Sequence, residues 1–144
     1  MARVLAGLAR WVRAPAGVAA LAVALAGCFD VKSADLFLLT RTGQGKTLTM
    51  LVNDGGTIRC NGGKAKPLSN TSLITARDLS DNLAPDAQKN LTIPRAPGSI
   101  YYYRIRLQQG TIAFPDRASA GRKVLAQAEL FAAQAGQQEC GRSG

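Results

Sequence analysis

The sequence contains no histidine, and its single tryptophan, Trp11, lies close to the start. Without imidazole the chain cannot build a Ser–His or Cys–His dyad, nor a His-ligated metal site. Acids are also scarce, with nine Asp and Glu against 18 Lys and Arg. Asp78 and Asp81 fall three residues apart on a predicted helix, but no second acidic cluster faces them. They read as solvated positions of an amphipathic helix, not as an acid–base pair. These gaps argue against an enzyme, and no cofactor-binding or metal-binding pattern replaces them. Long hydrophobic runs are missing too. The longest, from Ala14 to Gly27, falls short of the roughly 20 apolar residues a spanning helix needs.

What that run does have is flanks. Arg3, Arg10 and Arg13 precede it, and its dense centre is Val18–Leu25. A basic start, a short apolar middle and small residues at the end form a secretory signal pattern. The end itself, Leu25-Ala26-Gly27-Cys28, resembles the lipobox of bacterial lipoproteins: Leu, a small residue, Gly or Ala, then Cys. The resemblance covers the leader only. It implies that residues 1–27 are a signal peptide and that Cys28 becomes the first residue of the mature protein. It also implies that the Cys28 sulfur carries diacylglycerol, which holds the protein at the extracytoplasmic face of the cell membrane. Two acyl chains give stable attachment at about 0.8 kcal/mol per buried methylene, where one chain does not.

Residues 28–34 then read as a lipid-anchored tether and residues 35–144 as one domain, long enough for a single modest core. Residues 28–144 keep all nine acids and 15 of the basic residues, a net charge of +6. A tethered domain of that sign is drawn to anionic lipid headgroups and anionic wall polymers; a nucleic-acid partner is not expected there. With Cys28 acylated, Cys60 and Cys140 remain, and outside the cytoplasm such a pair is expected to be bridged. The bridge would close a loop of about 80 residues, worth roughly 4–5 kcal/mol in the chain-entropy treatment.

The pattern along the domain predicts an α+β fold, an antiparallel sheet of about five strands covered by two helices. Asp35–Arg41 is apolar on both faces and suits a central strand. Lys46–Asn53 alternates, Asn53-Asp54-Gly55-Gly56 is a hairpin signal, and Thr57–Cys60 makes a third strand. Residues 64–70 read as a loop. A helix is predicted from near Ser72 with Leu73, Ala76, Leu79 and Leu83 on its apolar face, stopped by Pro85. Tyr101, Tyr103, Ile105 and Leu107 alternate with Tyr102, Arg104 and Arg106 in the next strand, which a tight turn at Gln109-Gly110 joins to Thr111–Phe114. The last helix is predicted over 119–135, with Gly136 as its cap.

Two motifs bear on function. Thr42-Gly43-Gln44-Gly45-Lys46-Thr47 ends like a phosphate-binding loop, but Thr40 stands where the first Gly belongs and a strand follows where a helix is required. It reads as a hairpin turn. The row Tyr102, Arg104, Arg106 is the candidate anionic-ligand face, and Arg41, Lys46 and Arg59 are expected to join it from the first hairpin. The leading expectation is therefore a non-enzymatic, membrane-anchored binding or interaction module. The order of strands, Cys, Gly-rich turn, helix, hairpin and Cys is also similar to that of the subtilisin-inhibitor family, which implies a small secreted protease inhibitor with residues 94–98 as its reactive loop.

Overall fold

The computed structural model describes Val31 and residues 34–141. The expected signal peptide, Cys28 and most of the tether lie outside the described residues. The fold is an α+β arrangement: one open antiparallel sheet of six strands with two helices packed on one face. In chain order the strands are β1 (Asp35–Gly43), β2 (Lys46–Asn53), β3 (Thr57–Cys60), β4 (Ala65–Pro67), β5 (Tyr101–Leu107) and β6 (Gly110–Pro115). Helix α1 (Asn70–Gln88) follows β4, and α2 (Lys123–Gln138) follows a 3-10 turn over Asp116–Gly121. The spatial order is β4-β3-β2-β1-β5-β6, so β1 is interior, as its two-sided apolar pattern demands.

The turns follow from local chemistry. Gln44 and Gly45 both take positive φ (52° and 71°), as a two-residue hairpin between right-twisted strands requires. In the next hairpin the Asn53 side-chain oxygen accepts from the Gly55 N–H at 2.8 Å, an Asx turn. Asn61 extends the ladder past β3: its N–H donates to the Thr49 carbonyl, and its side-chain oxygen accepts from the Thr49 N–H at 2.9 Å. Ser69 caps α1, its hydroxyl accepting from the Ser72 N–H at 3.1 Å.

One sheet face and the two helices enclose the core. Phe37, Leu39, Met50, Val52, Ile58, Ile105, Ile112 and Phe114 from the sheet meet Ala76, Leu79, Leu83, Leu125, Ala128 and Phe131 from the helices. Burying each large side chain contributes about 1.5–3 kcal/mol. Phe37 meets Phe131 edge-on at 5.6 Å between ring centroids, and Tyr103 stacks on Phe114 at 5.3 Å. Cys60 and Cys140 form a disulfide with Cα atoms 5.5 Å apart. It fastens the end of α2 to β3.

The structure differs from the sequence pattern at four places. Residues 65–67 are a short edge strand, held by pairing with β3 and not by any burial of their own. Pro85 lies inside α1, whose stripe continues to the fully buried Ala87; packing of Leu83 and Ala87 holds a further turn that the missing Pro85 N–H alone would end. The final helix starts at Lys123 because Asp116–Gly121 forms a separate 3-10 turn. Gly136 sits within α2, not at its end. A Cβ there would come 3.2 Å from a Leu48 methyl, so the glycine lets the helix lie close on β2.

Candidate functional site

The face of the sheet opposite the helices carries the alternate residues of each strand. The pairing registers set them in cross-strand rows. Arg59 opposes Leu51, Leu51 opposes Leu38, Leu38 opposes Arg106, and Arg106 opposes Thr111. The adjacent row runs Thr49, Thr40, Arg104, Ala113, and the next runs Thr47, Thr42, Tyr102, Pro115. Tyr102, Arg104, Arg106 and Arg59 are thus brought to one face. Arg59 and Arg106 are three strands apart, about 14 Å at ordinary strand spacing. Arg59 and Arg104 are exposed, and neither has an ion-pair partner among the described residues.

The linker between α1 and β5 adds a cation that the sequence pattern did not reveal. Thr92 bridges to Ala113 in parallel, with the Ile93 N–H donating to the Ala113 carbonyl at 2.8 Å. That bridge lays residues 91–93 along the outer edge of β6. The Tyr102 hydroxyl donates to the Ile93 carbonyl at 3.1 Å. The Arg95 guanidinium lies 4.9 Å above the Tyr102 ring and donates to the Thr42 hydroxyl at 3.1 Å. Arg95 sits in a segment with neither helical nor strand period; only the neighbouring prolines marked it as an extended linker. Its side chain is folded back onto the sheet, in the loop that subtilisin-inhibitor order would make reactive.

Arg41 and Lys46, expected on the same face, lie on the other one. Arg41 pairs with Leu48 and Tyr103, and Lys46 pairs with Gly43, all positions of the helix-covered side. The slip comes from parity: Tyr102 opposes Thr42, so the neighbouring Arg41 must point the opposite way. At this end of the sheet the helices stop short, and Arg41 is half-buried with its guanidinium 4.9 Å above the Tyr101 ring.

Behind Arg41 is a polar cluster. Burial lifts the Tyr103 phenol to about 12, and the charge of Glu129 adds to the rise. Burial also raises Glu129, with Asp116 contributing, while the Ser119 hydroxyl partly offsets it by donating to one carboxylate oxygen at 3.1 Å. The other Glu129 oxygen is buried without a hydrogen-bond partner. For Asp116, burial alone would raise the carboxyl. The backbone N–H groups of Tyr101, Ile100 and Arg117 outweigh it and hold the group below its ordinary value. These contacts pin the 3-10 turn to the start of β5.

Among the described residues no group of three or more metal-ligating side chains occurs, and no helix is long and apolar enough to cross a membrane. No protein-family model, curated protein or solved structure matches the chain.

Proposed function

We propose that the chain is a non-enzymatic lipoprotein of the extracytoplasmic membrane face, and that the sheet face opposite α1 and α2 binds anionic lipid headgroups. The observation that carries the reading is the convergence of Arg59, Arg95, Arg104, Arg106 and Tyr102 on the sheet face opposite α1 and α2. Guanidinium groups pair bidentately with phosphate oxygens, and the threonine hydroxyls of β1 and β2 supply further donors between them.

Position favours the membrane over a wall polymer. The expected tether, residues 28–33, reaches about 20 Å at full extension. It enters the domain at Ala34, whose carbonyl accepts from the Asp54 N–H, and the row holding Arg59 and Arg106 crosses β1 at Leu38, only four residues further on. The cations nearest the anchor are therefore within reach of the surface that holds it. Each basic side chain near such a surface contributes about 1 kcal/mol, falling off within a Debye length.

The test uses the Cys28→Ala protein, so that acylation does not mask weaker contacts. It should co-sediment with phosphatidylglycerol vesicles, release as salt rises, and leave phosphatidylcholine vesicles untouched. The Arg59→Ala/Arg104→Ala/Arg106→Ala variant should lose most of that binding. Vesicle binding unchanged in the triple variant would refute the reading. Binding to purified wall glycopolymer but to neither vesicle would move the site to a different partner.

A further inference from the structure

We infer that the recess over Gly43 is a binding site for a compact phosphate group, held between Arg41 and Lys46. This site is separate from the surface proposed for lipid headgroups and does not rest on it.

The recess lies at the end of the sheet, where a glycine in the middle of a cross-strand row lets Tyr101 fold over the backbone. On the helix-covered face the last row of the sheet reads Lys46, Gly43, Tyr101, and the row before it reads Leu48, Arg41, Tyr103. Beside the Tyr101 ring, which closes over Gly43, a recess opens among Arg41, Gln44, Lys46 and Leu48. The resulting cavity is about 50 Å³. Glycine is required at position 43, since a Cβ there would collide with the Ile100 carbonyl and with the Tyr101 ring that forms one wall of the recess.

The two cations are placed to share one ligand. Arg41 and Lys46 are diagonal neighbours on β1 and β2, a relation that puts Cβ atoms about 7–8 Å apart, within reach of a common anion for two long side chains. Arg41 is already oriented: its guanidinium lies over the Tyr101 ring, and the Tyr101 hydroxyl donates to the Gln44 side-chain oxygen at 3.1 Å. Stacking fixes the plane of the fork while leaving its N–H donors at the edge, the arrangement that suits a phosphate or carboxylate. Among the described residues no carboxylate lies within ion-pairing distance of Arg41 or Lys46, and neither has a hydrogen-bond acceptor. The acids nearby in the fold are otherwise engaged, Asp116 by three backbone N–H groups and Glu129 by Ser119. Two uncompensated cations around a pocket of this size, Arg41 oriented by its ring and Lys46 free to close on the ligand, select a small doubly charged oxyanion over a single carboxylate.

The recess is at the end of β1 away from Ala34. Eight residues separate Asp35 from Gly43, about 27 Å of strand. The phosphate it takes is accordingly that of a soluble ion or monoester, not of the headgroups at the tether end.

The test is a titration of the full chain in non-ionic detergent with inorganic phosphate, at constant ionic strength, followed by amide chemical shifts. Saturable shifts should be confined to residues 41–48 and 100–103. Arg41→Gln and Lys46→Gln should each weaken binding about tenfold, while Arg104→Gln/Arg106→Gln should leave it within twofold. Lys46 is exposed, so its variant keeps the test intact if Arg41→Gln disturbs the fold. Acetate binding as tightly as phosphate would overturn the assignment. So would shifts that never saturate, or that follow Arg104 and Arg106. Phosphatidylglycerol vesicles that displace inorganic phosphate from the recess would overturn the soluble-ligand source.

Discussion

Arg41 pairs with Tyr103, and Arg104 pairs with Thr40 one step along the same ladder, so the two guanidiniums leave opposite faces of one sheet. That relation divides the basic charge of the domain into two sites of different character. One is broad, with Arg59, Arg95 and Arg104 exposed on it, and close to the expected tether. The other is a recess for a single group at the far end.

Acylation of Cys28 is the premise for position. Replacing Cys28 with Ala removes the thioether, and the protein should leave the membrane fraction for the soluble extracytoplasmic fraction at moderate salt. Intact mass decides it. The wild type should carry diacylglycerol on a chain starting at Cys28, and the variant should carry none. A variant that stays membrane-bound at high salt with its mass unshifted would contradict lipidation.

The Cys60–Cys140 bridge closes 80 residues of sequence. Its loss should cost roughly 4 kcal/mol through the larger entropy of the unfolded chain. Urea denaturation of the Cys60→Ser/Cys140→Ser variant should give a lower midpoint and a changed slope, because the unfolded chain expands. Two titratable thiols in the native wild-type protein would contradict the bridge.

Stability should depend on pH through Glu129. Its carboxyl is raised when folded, so the protein binds that proton more tightly than the unfolded chain does. The stabilisation is full below the ordinary value of 4.5 and is lost as pH climbs through the folded value. Glu129→Gln cannot ionise and can still accept from Ser119. The difference in unfolding free energy between variant and wild type should grow in the variant's favour as pH rises from about 3 to 7. Measurements should stop below pH 9, because Tyr103, at about 12, loses its own stabilisation as pH rises beyond the ordinary phenol value of 10. A difference that does not change with pH would contradict the burial argument.

Much of the fold was legible because β2 and β5 alternate residue by residue between core and outer face. Tyr103, Ile105, Leu107, Ile112 and Phe114 all face the core as their spacing indicates. The third-helical-turn residues Ala76, Leu79 and Leu83 do the same for α1. What was not legible depends on partners distant in sequence. β4 has three exposed residues and exists only because β3 offers a free edge. Pro85 is tolerated because Ala87 is packed beyond it. The site was half legible: alternation assigned Tyr102, Arg104 and Arg106 to one face and sets Lys46 with Leu48 and Met50 on the other, while Arg41, in a strand apolar on both sides, is placed by its pairing with Leu48 and Tyr103. Arg95 depends on a bridge between Thr92 and Ala113 across two connections.

The central claim is that the sheet face opposite the helices, and not basic charge in general, meets the lipid surface. The most direct measurement compares Arg41→Ala with Arg104→Ala in the Cys28→Ala background, by partitioning into phosphatidylglycerol vesicles at fixed ionic strength. The two variants remove the same charge from opposite faces. Arg104→Ala should weaken partitioning several-fold and Arg41→Ala should leave it nearly unchanged. Equal losses from both would mean that net charge alone drives the encounter, and the account of a binding face would fail.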